Sequence, residues 1–122
     1  YRFDFSFVGA TQATPARQKE DETSSYIRID NKTIRECNVY IDGAYDIDGS
    51  YVNRTINRST GQAGGSATVT STGQFQIYNN VYETGRRWAK LTGWAAGYTG
   101  WMEGWWSPDC IGCNRYPVIN NY

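Results

Sequence analysis

The residues best suited to chemistry are three cysteines: Cys37, and the pair Cys110 and Cys113 separated by Ile111 and Gly112. A structural zinc site takes four Cys or His ligands, and the chain has only these three cysteines and no histidine. A thioredoxin-type redox pair opens a helix that follows a strand, whereas this pair follows Pro108 in an aromatic tail. In an oxidising compartment an odd cysteine count permits one internal bridge at most. Three arrangements stay open. Cys37, Cys110 and Cys113 cross-link to other chains, or one internal bridge leaves a buried inert thiol, or the thiols are reactive. The first is the leading expectation.

The absence of histidine removes Ser-His-Asp and Cys-His nucleophile systems and the usual proton shuttle near neutral pH. Paired carboxylates are the remaining route to catalysis, as in glycoside hydrolysis. Asp4, Glu83, Glu103 and Asp109 stand near aromatics, but none sits in a motif, and the expectation is a protein without catalytic residues. Asp42, Asp46 and Asp48, with Gly43 and Gly49, invite a calcium loop, yet the closing bidentate Glu is missing. Asp-Gly turn chemistry accounts for them better. No metal and no cofactor are expected.

Trp88, Trp94, Trp101, Trp105 and Trp106 crowd into one stretch of the chain. Exposed indoles offer a flat platform for the apolar face of a sugar ring, while buried ones build a core or a subunit interface. Core or interface is favoured and the sugar platform is the alternative. Trp88 and Trp94 are an even number of residues apart, so on one strand they face the same side. Arg86 and Arg87 beside Trp88 would suit an anion, although pairing with Glu83 is the simpler expectation.

The elements that must hold these side chains are read from composition and period. A chain of 122 residues is one domain, 1–122, with no linker long enough to divide it. Aromatics reach 16%, while Leu91 is the only leucine and Met102 the only methionine. Helices are built from the residues that are scarce here, and sheets from those that abound. Tyr1 to Val8 alternates strictly between aromatic and polar. Tyr26 to Asp30 and Cys37 to Asp42 alternate again, and Asp30-Asn31-Lys32 between them reads as a hairpin turn. Further strands are expected at Tyr51 to Asn57, at Ala67 to Ser71 and Gln74 to Tyr78 as a hairpin, and at Arg86 to Trp94. Gly9 to Thr23 and Ser59 to Gly65 read as loops. The expected fold is all-β: a two-sheet antiparallel β-sandwich, or a flattened barrel, of seven or eight short strands.

Twelve basic and twelve acidic residues cancel to zero net charge, which disfavours nucleic acid and anionic membrane as partners and makes self-association cheap. No apolar stretch is long enough for a transmembrane segment. The chain opens at Tyr1 without an initiator methionine, the pattern of a processed, secreted product.

The segments Tyr82 to Ala89, Trp106-Ser107-Pro108-Asp109 and Tyr116 to Asn120 resemble those of small exported proteins of Gram-positive bacteria with no assigned activity. Ser66 to Val69 and Trp88-Ala89-Lys90 are similar to lactococcin-type bacteriocins. That likeness implies a two-sheet β-sandwich and an action on cell-wall synthesis. In the first group a serine follows Trp-Ser-Pro-Asp; Cys110 stands there here, which implies a covalent role particular to this chain. The leading expectation is therefore a secreted, extracellular, non-enzymatic subunit. It would assemble with its own copies into a filament-like surface structure, cross-linked through cysteines, with residues 1–8 and 111–122 reaching neighbours. The alternative is a monomeric secreted binding protein that recognises cell-wall glycan or acts as a bacteriocin-like inhibitor.

Overall fold

The computed structural model describes all 122 residues. Ten strands form: β1 (Arg2–Phe5), β2 (Thr11–Ala13), β3 (Arg17–Gln18), β4 (Ser25–Lys32), β5 (Cys37–Ala44), β6 (Val52–Asn53), β7 (Ala67–Val69), β8 (Gly73–Ile77), β9 (Trp88–Trp94) and β10 (Gly100–Ser107). One short 3-10 turn, Cys113–Arg115, follows. A four-stranded sheet runs β1-β10-β4-β8, and a six-stranded one is centred on β9 and β5. All pairings between these strands are antiparallel. The fold is the all-β, two-sheet sandwich expected from composition.

Period-2 alternation explains how the sheets stack. Phe3, Phe5, Ile27, Ile29, Ile77, Met102 and Trp106 point inward from the first sheet. Val39, Ile41, Val69, Ala89 and Leu91 meet them from the second. Each fully buried aliphatic or aromatic side chain contributes roughly 1.5–3 kcal/mol relative to exposure, so this interleaved layer dominates the stability. The alternate residues of β4 and β10, among them Tyr26, Arg28, Trp101 and Trp105, are left on the outer face.

Two expected hairpins are absent. β4 and β5 lie in different sheets, and Asp30-Asn31-Lys32 continues β4 rather than turning. β7 pairs with β5 while β8 pairs with β4, so that connection also crosses between layers. Both departures have one cause. A strand with a strongly apolar face can pack against a neighbour across the core as well as pair with it edge to edge, and local turn residues do not distinguish these outcomes.

Gly9 to Thr23 carries β2 and β3 as two short edge strands on β9; Pro15, which lacks an N–H, interrupts them. The first strand ends at Phe5 rather than Val8, because a turn closed by the Ala10 N–H on the Phe7 carbonyl at 3.1 Å redirects the chain.

The glycine-rich stretch after Gly97 holds β10, a central strand of the four-stranded sheet. Its register against β4 slips between Glu103 and Gly104. A Cβ on Gly104 would lie 1.9 Å from the Arg28 carbonyl oxygen, so no side chain fits at the bulge. Tyr1 is moored there: its backbone nitrogen donates to the Gly104 carbonyl at 2.9 Å, and the Gly104 N–H donates to the Tyr1 carbonyl at 3.1 Å.

The tail 111–122 folds back on its own chain. The Gln76 N–H donates to the Pro117 carbonyl at 3.0 Å, and the Ile119 N–H donates to the Gln76 carbonyl at 3.1 Å. Buried Asn120 donates to the carbonyls of Ile56 and Tyr78 and accepts from the Tyr78 N–H. Pro117, Ile119 and Asn120 are thus paired within the chain, while Ile111, Arg115 and Tyr122 stay exposed.

Gly104→Ala should destabilise the protein by about 1–3 kcal/mol, the range for forcing extra atoms into a packed site. Thermal unfolding followed by circular dichroism checks this, and a wild-type midpoint would contradict the account of the bulge.

Candidate functional site

The outer face of the four-stranded sheet carries the most varied chemistry. Antiparallel register sets Trp105 opposite Arg28 and Ser107 opposite Tyr26, so an indole, a guanidinium, a hydroxyl and a phenol share one patch. Trp105 is 53% exposed. The Tyr26 hydroxyl donates to Gln74 Oε1 at 2.7 Å, fixing its ring. Past the end of β1, Arg17 reaches over from β3. Its Nη1 donates to the Trp106 carbonyl at 2.7 Å, and its guanidinium carbon lies 5.6 Å from the Trp105 ring centroid, within cation–π range.

The second wall comes from the tail. Cys110 and Cys113 are bonded to each other with Cα atoms 5.4 Å apart, a span within bridging range. Gly112, at φ 75°, supplies the left-handed residue that turns so short a loop. Beyond the bridge, the Tyr116 ring stands 5.5 Å from that of Tyr26, and the Arg115 guanidinium carbon lies 4.9 Å from the Tyr116 ring. Tyr26, Arg28, Trp105, Ser107, Arg115 and Tyr116, with Asp109 and Cys110, line an open depression of about 350 Å³, at the small end of the range for ligand sites.

Asp109 is the anchor beneath it. Its Oδ1 accepts from Lys19 Nζ at 2.5 Å, and its Oδ2 accepts from the Glu20 N–H at 2.8 Å. Lys19 has no exposed surface and places its other ammonium protons on the carbonyls of Asp21 at 2.8 Å and Thr23 at 2.6 Å. Three acceptors satisfy three protons, the requirement for burying an ammonium group. The Thr23 hydroxyl also donates to the Asp21 carboxylate and accepts from the Cys110 N–H at 2.9 Å. The Asp21 carboxyl is held below its ordinary range chiefly by that Thr23 hydroxyl, with further help from the Thr23 N–H, Asp109 and Lys19.

The cysteines therefore adopt one internal bridge with a buried third thiol, not intermolecular cross-links. Cys37 is buried, and its Sγ lies 3.9 Å from Met102 Sδ. Burial pushes its thiol up to about 11, too high for a thiolate nucleophile near neutral pH. No thiol stands at the surface to bond a neighbour.

The tryptophans are dispersed. Trp106 lies in the core and Trp101 is half-buried beneath Arg2, whose guanidinium carbon is 4.4 Å from its ring. Trp88 and Trp94 lie on the same side of β9, turned away from its buried Ala89 and Leu91, in the other sheet, and Trp94 is 44% exposed. Trp105 alone lines the depression. The carboxylates are likewise spread: Asp4 and Glu103 both pair with Arg2, and Asp109 with Lys19. Glu83 faces a separate depression with Glu22. Arg86 and Arg87 take no carboxylate; they lie over Tyr45 at 4.6 Å and Tyr82 at 3.9 Å. Asp42 accepts from the Thr92 hydroxyl at 2.7 Å, and the Gly49 N–H closes a turn on Asp46.

Tyr26, Arg28, Arg115 and Tyr116 were not singled out by sequence reasoning. The alternation of β4 marks the outward side of Tyr26 and Arg28, but nothing local announces that Arg115 and Tyr116 fold over them.

Two outcomes follow. Thiol titration should find no reactive thiol in the native protein and one per chain in denaturant without reductant, with a monomer band on non-reducing gels; a reducible ladder would contradict the bridge. Lys19→Ala should cost about 3 kcal/mol or more, because it leaves Asp109 charged without its partner. Urea unfolding checks this, and an unchanged midpoint would contradict the anchor.

No curated protein and no solved structure matches the chain significantly. A family profile described as a protein of unknown function, DUF2712, matches residues 1–110. That match spans the sandwich up to the first cysteine of the bridge, and the chain belongs to the DUF2712 family.

Proposed function

We propose that this chain is a secreted, non-catalytic recognition module that binds saccharide on the outer face of its four-stranded sheet. The observation that carries the reading is Trp105, half-exposed on a rigid central strand with Tyr26 and Tyr116 beside it in one depression. An exposed indole on a sheet strand offers the apolar side of a sugar ring a large contact area with few rotatable bonds to fix. Ser107 and the guanidinium of Arg28 line the same depression and offer donors and acceptors suited to hydroxyl groups. A closed disulfide accords with an oxidising, extracellular setting.

Cross-linked assembly into a filament needs a cysteine free at the surface. With Cys37 buried and Cys110 joined to Cys113, covalent assembly has no group to act through. Catalysis has as little support. Asp109 is engaged by Lys19 and backbone N–H groups, and Glu22 and Glu83 are both exposed in a depression lined mainly by polar residues.

Intrinsic fluorescence titrated with soluble cell-wall fragments and oligosaccharides tests the proposal. Saturable change in indole emission is expected, and Trp105→Ala should weaken binding at least about tenfold, or roughly 1.4 kcal/mol, with an unchanged melting midpoint. Emission that no saccharide alters would refute it, as would binding indifferent to Trp105. Light scattering on the same samples reads self-association directly.

A further inference from the structure

We infer that the saccharide bound at Trp105 is anionic, its ring face on the indole and its negative group on Arg115; the inference rests on the recognition reading above. The charges around the depression are not balanced. Asp30 is committed to Arg28 at 2.8 Å, and Asp109 to Lys19 at 2.5 Å. Arg17 and Arg115 have no carboxylate within ion-pairing distance, and neither do Arg86 and Arg87 elsewhere. Arg17 uses one donor on the Trp106 carbonyl, whereas Arg115, exposed on the 3-10 turn, donates to no group of the chain.

A guanidinium presents five N–H donors in a planar fork that matches an oxyanion. A neutral sugar would leave that fork to water. A carboxylate or phosphate substituent would take it in two parallel charge-assisted hydrogen bonds, roughly twice as strong as neutral ones. Arg17, 5.6 Å from the Trp105 ring centroid, adds a second positive charge beside the depression. The zero net charge of the chain means that this attraction is local to the patch rather than a property of the whole surface.

The discriminating pair is tetragalacturonate and its full methyl ester, which keep the same rings and differ in charge. Tetragalacturonate should bind at least about tenfold more tightly at low salt, and the difference should shrink as salt screens it. Arg115→Gln should remove most of the difference by weakening the acid far more than the ester, and Arg115→Lys should restore part of it; a difference that Arg115→Gln leaves intact would overturn the inference. Acetate and inorganic phosphate, added as competitors, separate recognition of a bare anion from recognition of the acidic sugar, and full displacement by either alone would overturn the inference. Equal affinity for acid and ester would overturn it while leaving saccharide recognition standing. Failure of both sugars to perturb Trp105, together with the wider panel, would remove both claims.

Discussion

The buried ion pair between Lys19 and Asp109 is the constraint on which the rest of the site depends. Burying an ammonium group is costly unless every proton finds an acceptor, and Lys19 meets that condition only with the Asp21 and Thr23 carbonyls and the Asp109 carboxylate in place together. The segment leading into β4 and the segment leaving β10 are therefore fixed to each other. Everything beyond Asp109, the short bridge and the two residues Arg115 and Tyr116, starts from that fixed point. The disulfide closes the loop that follows, and Gln76 Nε2 holds its far side by donating to the Cys113 and Tyr116 carbonyls at 3.0 and 2.9 Å.

The same economy shapes the sheet. β10 is both core and surface: Met102 and Trp106 fill the interior while Trp101 and Trp105 face out. At the bulge, Gly104 exchanges two backbone hydrogen bonds with Tyr1. Arg17 lies beside Trp105, its guanidinium carbon 5.6 Å from the ring centroid.

Much of this was legible in the residues. The scarcity of leucine and the alternation of β1, β4, β5 and β9 fix the fold class and name most of the core, including Ile27, Ile41 and Leu91. Strand partnership was not legible, because Asp30-Asn31-Lys32 and Thr72-Gly73 carry turn chemistry whichever sheet the next strand joins. The cysteine count left cross-linking and an inert buried thiol open alike, and only the burial of Cys37 in the core separates them. The candidate site was half legible. Trp105 stood out as one tryptophan in a cluster, but its neighbours come from residues 17, 26, 28, 115 and 116, and nothing within a local window links them.

The central claim is that a saccharide stacks on Trp105 and on no other indole. Five tryptophans give five indole N–H signals in a two-dimensional nitrogen–proton spectrum, each assignable by single substitution. Addition of tetragalacturonate should shift the Trp105 signal and the backbone amides of Arg115 and Tyr116, and leave Trp88 and Trp94 on the opposite sheet unmoved. Shifts confined to Trp88 and Trp94, or an unchanged spectrum at saturating sugar, would contradict the account.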